Sequence, residues 1–196
     1  MKRPLKHTLK TILAALLLSL PASARLIGSG GTVEVGKFDF PRVITAKGRK
    51  MNMLGHGVLR YWGFKLYSAV LYREPGTGGD GEFVDRQTLL VIRYTRRIRA
   101  DQIIEAAKTN LGKNPTLNMM PLRPRLKSMY NAFVDVDDGD EYALLYVPGE
   151  GTRLYFNGNE EVRVSGFDFA RTFFGIWLSD HPINDDLKRE LWGEDR

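Results

Sequence analysis

The seven positions from Asp135 to Glu141 hold five acidic side chains: Asp135, Asp137, Asp138, Asp140 and Glu141. Carboxylate oxygens at that density suit a hard cation such as calcium. Counted from Asp135, however, Gly139 falls at position five and Tyr146 at position twelve. A calcium loop of the helix–loop–helix type needs glycine at six and a bidentate acid at twelve. The cluster therefore reads as a solvated turn ahead of a strand. His56 and His181 stand alone without metal-ligand spacing, and the chain has no cysteine, which excludes thiol chemistry and Cys-based metal sites. Ser68 and Ser165-Gly166 lack the Gly-x-Ser-x-Gly elbow of a hydrolase. These residues yield no catalytic set, no metal site and no demand for a cofactor.

The remaining feature with chemical potential is the segment Gly55-His56-Gly57-Val58-Leu59-Arg60 and the strand after it, Phe64 to Tyr72. Along that strand Phe64, Leu66 and Val70 alternate with Tyr67, Ala69 and Leu71, so both faces are apolar. A strand buried on both faces needs a covering layer on each side. Thr88 to Tyr94 has the same character.

Upstream, Leu26 to Gly31 is glycine-rich and reads as a leader, with Val33, Val35 and Phe38 starting the apolar pattern and Val43-Ile44 a short strand. Pro75 and the glycines of Glu74 to Glu82 mark an exposed loop. From Arg99 to Leu111 the period becomes helical, with Ile103, Ile104, Ala107 and Leu111 on one face. Asn110 and Asn114 fall where caps would lie. Leu122, Leu126, Met129 and Phe133 predict a second helix entered through Pro121. Tyr142 to Val147 and Thr152 to Phe156 form a hairpin, and Asn157-Gly158-Asn159 turns into Val162-Val164. Asp168 to Leu178 is apolar around nearly its whole circumference and must be buried on several sides, as core rather than cofactor box. Asn184 caps a last helix that turns Leu187, Leu191 and Trp192 inward. Hairpin strands with helices between them give an α+β class, with helices on an antiparallel sheet.

The first 24 residues read as a signal peptide: basic Lys2, Arg3, Lys6 and Lys10, an apolar run from Ile12 to Leu20, and a small-residue site at Ala22-Ser23-Ala24. The run is shorter than the roughly 20 residues a membrane helix needs, so no integral membrane segment is expected after its removal. The expected product begins at Arg25, is periplasmic, and carries +2 rather than +6 because four basic residues leave with the signal. With both signs mixed along it, it lacks the clustered basic face of a nucleic-acid binder. Residues 25–50 then form a leader and first strand region, and 51–196 the main domain.

The segment from Gly55 to Tyr72 resembles the chalcone isomerase-like family, whose plant enzymes carry Gly-x-Gly-x-Arg and then a Lys-aromatic-Thr-Ala-apolar strand. Asp138-Gly139-Asp140, Gly149-x-Gly151-Thr152, Asn157-Gly158, Gly166-x-Asp168-Phe169-Ala170, Ile176-Trp177-Leu178 and Leu191-Trp192-Gly193 extend the resemblance over most of the chain. It implies an open-faced β-sandwich, a curved antiparallel sheet with helices packed on one face. It also implies either ring-closing lyase chemistry or the holding of a fatty acid. In both branches an arginine does the work, and its fork suits planar or paired oxygens.

At that arginine position this chain has Leu59, and Arg60 comes one residue late. On a strand such a slip sends the side chain to the other face unless a bulge intervenes. Tyr67 stands where the enzymes have threonine, and their helical Tyr and Asn have no clear counterpart. The resemblance therefore implies a non-catalytic protein, exported by its signal peptide, that binds a small amphipathic ligand such as a fatty acid. The ligand-binding residues would be Tyr67 in the cleft wall and Arg60 as anion anchor. Two alternatives stay open: an intramolecular lyase with Arg60 as electrophile, and a periplasmic interaction module without a ligand, its protein partner unknown.

Overall fold

The computed structural model of the chain describes residues 27–76, 81–115 and 117–194. The expected signal peptide lies outside the described residues. Among the described residues eight strands follow one another in space as they do in sequence, in one antiparallel sheet. They are β1 (Ile27–Val35), β2 (Phe38–Ala46), β3 (Arg49–Tyr61), β4 (Phe64–Arg73), β5 (Thr88–Tyr94), β6 (Glu141–Val147), β7 (Gly151–Phe156) and β8 (Asn159–Val164). Helices α1 (Ala100–Gly112) and α2 (Arg123–Tyr130), with a 3₁₀ turn at Met120–Leu122, are inserted between β5 and β6. Helices α3 (Phe167–Leu178) and α4 (Asp185–Trp192) close the chain.

Two apolar layers flank the central strands, as their two-faced burial requires. On one side Tyr67, Ala69, Leu71, Leu90, Ile92, Leu144 and Leu154 meet the helices, above all Phe169, Phe173, Phe174 and Ile176 of α3. On the other side Val70, Tyr72, Leu89, Val91, Ala143 and Leu145 meet Val35, Phe40, Ile44, Ala46 and Met51. That second cover is the sheet's own first hairpin, curled back over its far face. Three buried polar groups pin it down. Ser68 donates to the Val35 carbonyl, Tyr72 to that of Pro41 and Gln87 to that of Ala46, each at 2.8 Å.

The expected leader at Leu26 to Gly31 is corrected here, since from Ile27 on it is strand β1, paired with β2. Gly30 and Gly31 form a bulge there at positive φ (77° and 82°), a conformation glycine adopts without cost. The short strand expected at Val43-Ile44 is likewise the middle of the longer β2. The second helix stops at Tyr130, short of Phe133.

Two bulges in the β3–β4 pair decide what faces the helices. Leu54 is an extra residue on β3. Before it, Met51 and Met53 pack toward the curled hairpin. After it, Gly55, Gly57 and Leu59 turn toward the helices. Leu66 is an extra residue on β4. It turns to the helix side, which corrects the expectation that Phe64, Leu66 and Val70 share one face. Phe64 itself is 63% exposed.

The two glycines have a packing reason. A Cβ on Gly55 would lie 2.2 Å from the carbonyl oxygens of Glu190 and Leu191, and one on Gly57 would meet the Glu190 carboxylate. Only a bare backbone lets the end of α4 lie against β3. Asn184 caps that helix by accepting from the Leu187 N–H at 2.8 Å, and Gly193 ends it at φ 74°.

Candidate functional site

Where β3 to β7 diverge from α1 and α3, the layers leave a cavity of about 860 Å³. Its floor is Leu59, Tyr67, Leu90, Ile92, Tyr94, Leu144 and Leu154, and its roof includes Ala107 and Asn110 of α1 with Phe173, Ile176 and Trp177 of α3. Residues on the outer rim carry charge: Arg60, Arg96, Arg97 and Lys113, with Asp101 and Glu105 on α1. Asp101 is tied to Arg99, whose guanidinium donates to both of its oxygens.

Strand register shows how the polar groups are arranged. Leu59 is opposite Tyr67, and Tyr67 is opposite Tyr94, so the three form one row across β3, β4 and β5. That row lies next to the rim, because Arg60 and Arg96 follow Leu59 and Tyr94 by one and two residues. Further along the strands the floor becomes aliphatic, through Ile92, Leu90, Leu144 and Leu154.

Tyr67 is 6% exposed and Tyr94 4% exposed. Trp177 donates its indole N–H to the Tyr67 hydroxyl at 2.9 Å. Among the described residues neither phenol finds an acceptor for its own proton, and the Tyr94 hydroxyl has no hydrogen-bond partner. Tyr142, by contrast, is satisfied by the backbone of Val134. Burial pushes the Tyr67 phenol well above its ordinary range, the Trp177 bond opposing this. Burial does the same to Tyr94, reinforced by Tyr67 and Tyr142. Both are therefore neutral hydroxyls at physiological pH and can donate to a guest. Neither is a phenolate able to act as a base.

The residues singled out from the sequence separate in space. Tyr67 is in the cavity floor. Leu59 holds the inward position beside it, while Arg60 is exposed on the rim. A register shift does occur between Leu59 and Arg60, but its extra residue belongs to β4. Asn110 is not a terminal cap, since α1 runs past it to Gly112. It is buried in the cavity roof and donates to the His181 carbonyl at 3.2 Å. Sequence reasoning missed Tyr94, Trp177 and Asn110 as lining. Tyr94 alone carried a signal, its phase with Leu90 and Ile92 on β5.

The acidic run between α2 and β6 is committed to holding its turn. Lys37 pairs with Asp138 at 2.5 Å, Asn157 donates to Asp140 at 2.8 Å, and Asp135 accepts from the Ala100 N–H at 2.9 Å. Among the described residues no cluster of His, Asp or Glu could hold a metal ion. No helix among them is long and apolar enough to cross a membrane.

A family model described as chalcone isomerase-like matches residues 32–193. No curated protein matches the chain. Among solved structures the fold is similar to that of a fatty-acid binding protein of Arabidopsis thaliana, with a TM-score of 0.64 at 14% identity. The match covers 83% of this chain and 96% of that one.

Proposed function

Because the chain belongs to the chalcone isomerase-like family, we propose that its cavity holds a small amphipathic ligand, best matched by a long-chain carboxylic acid. The observation that carries this reading is the cavity's polarity gradient. A volume of about 860 Å³ lies within the roughly 300–1,000 Å³ usual for small-molecule sites. Its inner floor is aliphatic, its near row offers two phenol protons, and its rim carries Arg60. An acid's hydrocarbon chain would lie along Ile92, Leu90 and Leu144, where each buried methylene contributes about 0.8 kcal/mol. Its carboxylate would accept from Tyr67 and Tyr94 and pair with the Arg60 guanidinium, charge-assisted bonds that are stronger than neutral ones.

That the structurally similar Arabidopsis protein is a fatty-acid binding protein agrees with this reading. Lyase chemistry of the chalcone isomerase type has less support. Leu59 occupies the inward position that an arginine would need, and the hydroxyls facing the guest are neutral. Export to the periplasm completes the proposal, and N-terminal sequencing of the periplasmic protein should begin at or near Arg25.

The binding test is calorimetric titration with acids and alcohols of matched chain length. Acids should bind more tightly than alcohols, and Arg60→Ala should weaken the acids by roughly 10- to 100-fold while alcohols change little. Absence of binding by every acid and alcohol would reject the carrier and favour an interaction module.

A further inference from the structure

The turn between β3 and β4 raises Tyr61-Trp62-Gly63-Phe64 into solvent. Tyr61 is 65%, Trp62 84% and Phe64 63% exposed. Of the five large apolar side chains exposed among the described residues, three fall in these four positions. Local folding does not ask for them. Trp62 has φ +50° and Gly63 φ +79°, a turn for which asparagine, aspartate or glycine is the ordinary first residue. A bulky ring held in the left-handed region is strained, and such strain persists where the side chain has a use.

The surroundings identify that use. Arg60 and Lys65 flank the turn, and the Arg96 guanidinium lies 5.5 Å from the Phe64 ring centre. Among the described residues none of these three cations has an ion pair. Arg97 is nearby, 3.5 Å from Asp135. Acidic groups near this end of the fold are Asp101, which Arg99 holds, Glu105 on α1 across the mouth, and the run beside the end of β5, where Asp135 lies by Arg97, Asp138 pairs with Lys37 and Asp140 accepts from Asn157. Protein–protein interfaces favour Arg beside aromatic rings but are depleted in Lys, whereas here Lys65 joins Arg60 and Arg96 around a projecting aromatic tip. Aromatic rings that sit at headgroup depth, with cations level with the phosphates, are the signature of a membrane interface. Arg60 and Tyr61 also line the cavity mouth.

We propose that the β3–β4 hairpin docks the protein on an anionic phospholipid surface, with the mouth of the cavity turned toward the lipid. This goes beyond the carrier reading and does not depend on the guest being an acid.

The test uses the full chain with vesicles of phosphatidylcholine alone or mixed with phosphatidylglycerol. It compares wild type with Trp62→Ser/Phe64→Ser and with Lys65→Glu/Arg96→Glu. All three share residues 1–26, so differences between them report the hairpin. Wild type should co-sediment with the anionic vesicles, less so as salt rises. Its tryptophan emission should shift to the blue and be quenched by brominated acyl chains. The part of that signal lost in Trp62→Ser/Phe64→Ser belongs to Trp62, since Trp192 is buried and Trp177, in the cavity roof, is present in both proteins. Each double variant should lose about tenfold or more in partitioning. Equal partitioning of wild type and variants, or none by wild type, would overturn the proposal. Self-association abolished by Trp62→Ser/Phe64→Ser, without vesicle binding, would assign the tip to a second copy instead. Acid binding measured in solution on the same variants keeps failure of docking distinct from failure of the carrier reading.

Discussion

Trp177 of α3 donates its indole N–H to the hydroxyl of Tyr67 on β4 across 2.9 Å, linking the roof of the cavity to its floor. It is the one side-chain hydrogen bond between α3 and the sheet among the described residues. Tyr94, in register beside Tyr67, makes an edge-on ring contact at 5.7 Å, but among the described residues its hydroxyl makes no hydrogen bond. The two tyrosines thus have the same chemistry and similar burial in different bonding situations.

Tyr67→Phe should therefore cost about 1 kcal/mol of stability at neutral pH, and Tyr94→Phe close to nothing. A double-mutant cycle of Tyr67→Phe with Trp177→Phe should give a coupling of about 1 kcal/mol by urea denaturation. A coupling indistinguishable from zero would show that the bond does not contribute.

Alkaline pH should reveal the same burial. An unfolded tyrosine titrates near about 10. The folded Tyr67 and Tyr94 are raised well above that by burial, while burial brings Tyr130 to about 12 and Tyr142 likewise to about 12. A raised pKa means the folded chain keeps a proton that the unfolded chain releases. The contribution is thus complete below about pH 10 and is lost as pH rises toward the folded values, by up to about 1.4 kcal/mol per pH unit for each such group. Urea midpoints should be level below that point and fall steeply above it. Tyr94→Phe should make the fall shallower; an unchanged slope would contradict the burial of that hydroxyl.

Gly55→Ala should displace α4. The added methyl would meet two backbone carbonyl oxygens at 2.2 Å, and backbone cannot rotate away as a side chain can. A loss of about 3 kcal/mol is expected, at the upper end of overpacking costs. Gly112→Ala is the contrast: nothing lies within 4 Å of the new Cβ at the end of α1, and alanine is the better helix former. It should leave stability unchanged or raise it by a few tenths of a kcal/mol. Equal behaviour of the two variants in thermal unfolding would remove the packing account of the glycine pair.

What the sequence made legible follows from period and punctuation. β4 and β5 were visible because apolar residues on both faces leave no other solution, and α4 because Asn184 and Leu187, Leu191 and Trp192 mark its start and its buried stripe. The Leu59–Arg60 question was not legible, because it turns on Leu54 and Leu66, two bulges whose positions depend on the partner strand. The second layer was foreseeable as a need, but not as the first hairpin of the same sheet, since glycines suggest a leader unless their pairing is known. A cleft lined by Tyr67 was expected from the resemblance, but its size and the rest of its lining were hidden for a related reason. A gap between layers depends on how far α1 and α3 stand off the sheet, and no single residue encodes that distance.

The sharpest test of the cavity is to restore the arginine its register lacks. Leu59 is 7% exposed, faces the helices and is paired with Tyr67, so Leu59→Arg places a guanidinium in the tyrosine row without a carboxylate partner. An unpaired charge there should cost about 3 kcal/mol in the empty protein, less whatever the side chain recovers by reaching toward the rim. A long-chain acid brings the missing counter-charge. It should raise the melting temperature of the variant by more than it raises that of wild type, while the matched alcohol should raise neither by much. If acid and alcohol rescue the variant equally, the carboxylate is not held in the Tyr67–Tyr94 row. If Leu59→Arg is as stable as wild type without any ligand, position 59 does not face an enclosed apolar space.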